Sequence, residues 1–90
     1  IEGHTDNVPF TSRGDVESNW DLSTKRATAV VKILLQNNKI LPQNLTAAGR
    51  SKYLPIAPNS SKEGRASNRR IEVILSPSLE KITKLLEINN

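Results

Sequence analysis

The chain has 90 residues, enough for one domain, with 36% hydrophobic and 24% charged residues and a formal net charge of +4. It has no cysteine and a single histidine, His4, which excludes a disulfide framework, a thiolate zinc site, a cysteine nucleophile and a histidine-rich metal centre. No run approaches the roughly 20 apolar residues of a membrane span, and the positive charge is thinner than the dense stripe of a committed nucleic-acid binder.

Ile1 opens the sequence without a methionine and reads as a strand already under way. The expectation is a fragment, with earlier elements and any export signal lost. Ile1 to Thr5 predicts a short strand end, and Asn7 to Glu17 a polar loop containing Pro9 and Gly14. Ser18 with Asp21 three residues on resembles a capping box and starts a helix expected from Asn19 to Asn37. Along it Leu22, Arg26, Ala29, Val30, Ile33 and Leu34 recur at helical spacing, with Leu22 and Val30 as core candidates. The Asn37-Asn38 pair and Pro42 end it.

A single helical turn is expected after Pro42, then a short strand of small residues over Leu45 to Gly49. Pro55 and Pro58 forbid helix between Arg50 and Pro58. Asn59-Ser60-Ser61 caps a short helix through Ser67. Arg70 to Leu75 is the best strand in the sequence, with Ile71, Val73 and Leu75 on one face. Ser76-Pro77 then opens an amphipathic helix carrying Leu79, Ile82, Leu85 and Leu86 to about Ile88. The order β–α–β–(short α)–β–α predicts a two-layer α/β (α+β) domain, with helices on one face of a small mixed sheet.

The chemistry gathers where the first strand runs out and the first helix begins. Asp6 lies at the strand end and Arg26 in the second turn of the helix, so both point toward one edge of an α/β unit. Arg26 shares its helical phase with apolar residues, so it must pair internally or reach a ligand at the rim. A zwitterion with ammonium and carboxylate on one carbon is complementary to this pair: Asp6 takes the ammonium, and Arg26 grips the carboxylate with its two-pronged guanidinium. The alternative is that Asp6 and Arg26 pair with each other.

Five segments then follow in order: Gly3-His4-Thr5-Asp6-Asn7; Asn19-x-x-Leu22-Ser23-x-x-Arg26-Ala27-x-x-Val30; Leu45-Thr46-Ala47-Ala48-Gly49; Pro55-Ile56-Ala57-Pro58-Asn59; and Glu63-Gly64-Arg65-Ala66-x-Asn68-Arg69-Arg70-Ile71-Glu72. Together they resemble the OmpA-like (OmpA/MotB C-terminal) domain, a peptidoglycan-associating module of Gram-negative envelopes. The resemblance implies a βαβαβ fold over residues 1–75, with the first strand and helix truncated; residues 76–90 lie outside the family core and are expected to form an extra C-terminal helix packed on the domain. It implies non-covalent binding of the diaminopimelate of a peptidoglycan stem peptide by Asp6 and Arg26, with Thr5, Asn19, Leu22 and Arg69 at the same site. It also implies a periplasmic location, with attachment to the outer membrane. The loop from Val8 to Ser18 is closer in length to the motor-stator branch, so a flagellar stator anchor is the alternative parent.

Of Arg69 and Arg70, one is expected to be structural and the other to line the pocket. Asn19 is expected to order the Asp6 loop or the helix start. His4 reads as a packed residue rather than a catalytic base, Gly49 and Gly64 as backbone-permissive positions, and Arg50, Lys52, Lys62 and Arg65 as a solvated face that could meet anionic wall material. No catalytic triad, metal cluster or paired carboxylates emerge, so the reading is a binding module without cofactor or metal and not an enzyme. The domain itself is not membrane-embedded, and a homodimer is compatible with the sequence. A basic nucleic-acid-binding module is the reading from a different class, with only Trp20 and Tyr53 available for stacking.

Overall fold

The computed structural model describes residues 1–76 and Leu86. The rest of the expected C-terminal helix, with Leu79, Ile82 and Leu85, lies outside the described residues; Leu86 is helical and exposed.

Three two-residue strands form a mixed sheet in the order β2-β1-β3. The central strand β1 (Glu2–Gly3) runs parallel to β2 (Ala48–Gly49) and antiparallel to β3 (Ile71–Glu72). The parallel pair is joined by a crossover carrying α1 (Asn19–Leu34), as parallel pairing requires. Backbone bonds extend the pairing beyond the strands themselves. Ala48 N donates to Ile1 O at 2.8 Å, and Arg50 N to Gly3 O, Thr5 N to Ser51 O and His4 N to Arg70 O at 2.9 Å each.

Ser18 caps α1 as expected, its Oγ accepting from Asp21 N at 3.4 Å. Asp21 Oδ2 returns one residue further out, accepting from Glu17 N at 3.1 Å. The helix ends at Leu34, short of Asn37, because the next turn tightens. Gln36 N and Asn37 N donate to carbonyls three residues back, those of Ile33 and Leu34.

The buried face of α1 differs from the expected stripe. Its buried residues are Ser23 and Ala27, whereas Leu22 and Val30 are half-buried and Ala29 and Ile33 exposed. The opposing sheet explains this, since β1 and β2 present Gly3 and Gly49 to the helix. A Cβ on Gly3 would collide with the Ser23 carbonyl, and one on Gly49 with the side chains of Ser23 and Thr24. Backbone meets backbone here, and only small residues fit between. Ser23 Oγ accepts from Ser51 N at 3.1 Å and donates to Trp20 O at 3.0 Å, which satisfies a buried polar group inside that contact.

Ala27 is the one fully buried apolar residue among the described residues; beside it are buried His4, Thr5, Asp6, Ser23, Ser51 and Asn68. The centre of this domain is a hydrogen-bonded polar network. Asn68 is the clearest member, at 0% exposure. Its Oδ1 accepts from Ile56 N (2.8 Å) and Ala57 N (3.1 Å), and its Nδ2 donates to Ala57 O (2.9 Å) and Asn59 Oδ1 (2.8 Å). It thereby fastens the proline-flanked stretch to the end of α2 (Lys62–Asn68). Gly64 lies within α2, where a Cβ would strike the Pro58 carbonyl, so close approach rather than backbone conformation calls for glycine there.

Ser61 caps α2 through a 2.9 Å bond from Gly64 N. Ser61→Ala is expected to lower stability by about 1 kcal/mol, read from chemical denaturation. A single 3-10 turn, Pro42–Asn44, follows the proline as expected.

The last strand is shorter than the sequence suggests. Only Ile71 and Glu72 pair, and Val73, Ile74 and Leu75 are exposed, Leu75 at 85%. Glu72 faces Glu2, and Val73 to Leu75 continue past that pair without a sheet partner among the described residues.

Candidate functional site

A cleft of about 420 Å³ opens where β1 ends, between the Asn7–Glu17 loop, the first turns of α1 and the end of α2. Thr5, Asp6, Asn19, Leu22, Arg26 and Arg69, the residues singled out from sequence, all line it. Asp6 is buried at its edge. Its Oδ1 accepts from Val8 N at 3.0 Å, so the carboxylate folds the loop over itself, and its Oδ2 accepts from Arg69 Nη1 at 2.6 Å. Thr5 Oγ1 donates to Asp6 O at 2.9 Å. Asn19, at the helix start, donates from Nδ2 to Val8 O at 3.0 Å. It ties the same loop to α1, the ordering role expected of it.

Arg26 is not the partner of Asp6. Asp6 pairs with Arg69, 63 residues away, while Arg26 is exposed on the cleft wall and makes no ion pair or hydrogen bond among the described residues. The two arginines before β3 divide their work. Arg69 lines the cleft. Arg70 is structural, with Nε bonded to Glu72 at 3.0 Å and Nη2 to Leu54 O at 2.9 Å.

Sequence reasoning missed Arg13 and Arg65, which also line the cleft. Arg65 stands four residues before Arg69 on α2 and so shares its helix face, a spacing that could have revealed it. It is half-buried, donating from Nη1 to Asn59 O at 3.0 Å, rather than part of a solvated face. Arg50 stays exposed while pairing with Glu2 at 3.0 Å. Arg13 sits in a loop with no periodicity to betray it.

On the sheet, Glu2, His4 and Glu72 form one candidate group of metal ligands. His4 is 1% exposed; its Nε2 lies 3.4 Å from Glu2 Oε1 and from Glu72 Oε2, with neither nitrogen in a well-aligned hydrogen bond. The other oxygen of each carboxylate is held by a guanidinium, Arg50 for Glu2 and Arg70 for Glu72. Those two cations already supply the positive charge that a metal would bring. Two ion pairs, Glu2–Arg50 between β1 and the end of β2 and Arg70–Glu72 at β3, thus flank a packed His4.

Hydrogen bonding from Arg50 holds the Glu2 carboxyl below the ordinary carboxylate range, against the opposing effect of partial desolvation. A carboxyl depressed in the folded state stabilises above its unfolded value, and that contribution is lost as pH falls through the folded one. Melting temperature should accordingly fall on acidification, and fall less steeply in Arg50→Gln, as followed by thermal denaturation from neutral pH downward.

Fold and cleft together define a small mixed-sheet α/β domain with an arginine-lined cleft, closed around one carboxylate, at its strand–helix edge. The chain belongs to the OmpA family, whose family model matches residues 1–69. It is 42% identical over 77 residues to Motility protein B of Bacillus subtilis (strain 168), covering 86% of this chain and 29% of that protein. With Outer membrane porin F of Pseudomonas aeruginosa it shares 39% identity, over 80% of this chain and 19% of the porin. Among solved structures, the C-terminal domain of Helicobacter pylori MotB superposes with a TM-score of 0.76 at 31% identity, covering 98% of this chain and 65% of that one. The cell wall anchor of the T6SS from Pseudomonas aeruginosa does so with a TM-score of 0.66 at 43% identity, covering 76% of this chain and 46% of that one. The chain spans less than half the length of these curated relatives.

Proposed function

We propose that this domain binds peptidoglycan non-covalently and without catalysis, gripping the diaminopimelate of a stem peptide by its zwitterionic end, and so anchors an envelope protein to the cell wall. The observation that carries this is Arg26, without an ion pair or hydrogen bond among the described residues, sharing a cleft with Asp6, the one carboxylate among its described lining residues. Arg26 takes the ligand carboxylate in a bidentate, charge-assisted bond. The ammonium goes to Asp6, whose two oxygens together offer about four acceptor positions, more than Val8 N and Arg69 occupy. The solved structure described as a cell wall anchor supports the reading. A motor stator is the favoured parent, because the likeness to Helicobacter pylori MotB extends over 98% of this chain. The domain then works on the periplasmic side, as the periplasmic domain of that MotB does.

The test is calorimetric titration with two muropeptides that differ only in carrying diaminopimelate or lysine. Lysine keeps the ammonium but lacks the carboxylate beside it, so it should bind at least tenfold more weakly. Equal affinity for the two would overturn the reading.

A further inference from the structure

We propose that the cleft holds a second anionic group of its ligand on Arg13, and therefore prefers a stem peptide whose remaining carboxylates are free over one in which they are amidated. This rests on the stem-peptide reading and adds to it the ligand's charge state.

The inference begins with a charge count. Four guanidinium groups, of Arg13, Arg26, Arg65 and Arg69, line the cleft with one carboxylate, Asp6. Arg69 is neutralised by Asp6 at 2.6 Å. Arg65 is steered by the Asn59 carbonyl, which orients the group without cancelling its charge. Arg13 and Arg26 have no ion pair among the described residues. A zwitterionic carbon brings one positive and one negative charge, so it occupies Asp6 and Arg26 and leaves the surplus unchanged. Like charges gathered around a concave surface repel one another and favour a ligand of opposite net sign.

The backbone at Arg13 is built to present that charge. Arg13 N donates to Val16 O at 2.8 Å, and Val16 N returns to Arg13 O at 3.0 Å. Gly14 between them adopts a positive φ of 61°, which lets the turn close. The guanidinium thus projects from a hydrogen-bonded turn on the loop side of the cleft, whereas Arg26 projects from α1. Two anion-binding positions supplied by different elements suit a ligand with carboxylates on neighbouring residues. A stem peptide has such a pair, since the glutamate preceding diaminopimelate carries its own carboxylate.

The experiment compares two muropeptides with intact diaminopimelate, one bearing the free glutamate carboxylate and the other its carboxamide, titrated calorimetrically into the domain. The native domain should bind the free form about tenfold more tightly. Arg13→Gln, an exposed change checked by an unaltered melting temperature, should bind both forms equally, at the affinity of the native domain for the amidated form. No preference in the native domain, or a preference that survives in Arg13→Gln, would overturn the proposal. The lysine-containing muropeptide separates this from the underlying reading. If it binds as well as its diaminopimelate counterpart, the zwitterion clamp fails, while the comparison of free and amidated forms still decides Arg13.

Discussion

Gly3→Ala is expected to cost a large share of the stability of the fold. A Cβ at this position would lie inside the contact distance of the Ser23 carbonyl oxygen, 2.8 Å from its carbon and 3.2 Å from the Ser23 Cα. All three are backbone atoms of α1, so no rotamer change relieves the clash. The helix would have to lift from the central strand, breaking the contact that buries Ser23 and Ala27. Overpacking in a filled core costs roughly 1–3 kcal/mol, and a clash between two backbones belongs at or above the upper end. A domain of this size has a total of only about 5–10 kcal/mol to lose. Gly14→Ala is the matched control. Its added methyl meets open space, so it bears only the strain of the positive φ, on the order of 1 kcal/mol. Circular dichroism melts of the two variants decide the point; a Gly3→Ala domain as stable as Gly14→Ala would refute the packing argument.

The second large effect is on affinity. Arg26→Ala should weaken binding of a diaminopimelate muropeptide by about thirtyfold, the loss of one charge-assisted, two-pronged contact of about 2 kcal/mol. Arg26→Lys should lose nearly as much, because the ammonium keeps the charge but not the planar fork. Neither should move the melting temperature much, since Arg26 has no hydrogen-bond or ion-pair partner among the described residues. Asp6→Asn should differ on both counts. It removes the counter-charge for the ligand ammonium and also releases Arg69, adding a repulsive cation to the place where that ammonium must sit. Its affinity loss should therefore exceed that of Arg26→Ala, and its melting temperature should fall. The Asp6/Arg26 double variant should lose less than the sum of the two, because both groups grip one residue of the ligand. Native-like affinity in folded Arg26→Ala would remove Arg26 from the clamp.

The cleft is legible in the sequence in two ways: local signals bring Asp6 and Arg26 to one edge, and the family resemblance adds Thr5, Asn19, Leu22 and Arg69. Asp6 closes a strand, and Asn19, Leu22 and Arg26 follow a capping serine. Once Ser18 fixes the start of the helix, their phase is known. Arg69 falls beside the last strand, but its pairing with Asp6 spans 63 residues, and no local pattern encodes so distant a contact. Arg13 is hidden for a related reason, since a loop carries no period from which to read a direction. The core misleads in another way. The expected stripe of Leu22, Val30 and Ile33 assumes that helix and sheet meet through large side chains. Glycines at positions 3 and 49 instead bring the sheet backbone close against the helix, so the contact selects Ser23 and Ala27, leaving Leu22 and Val30 half-buried and Ile33 exposed. The last strand is overread because its β-branched run speaks only for itself, whereas a ladder also needs a partner, and among the described residues only Ile71 and Glu72 have one.

The central position of β1 has a mechanical meaning for an anchor. From Ile1 to Thr5 this segment is hydrogen-bonded on one side to residues 48–51 and on the other to residues 70–72, and it leads directly into Asp6 at the cleft. Tension running along it toward a ligand held at Asp6 would load the bonds on both sides as one set in shear, since the ladder bonds lie across the strand rather than along it. An edge strand pulled away from its neighbour would yield bond by bond. The Asp6–Arg69 ion pair carries part of the same load onto α2, beyond the sheet. A pull along β1 is thus shared between both neighbouring strands and the end of α2.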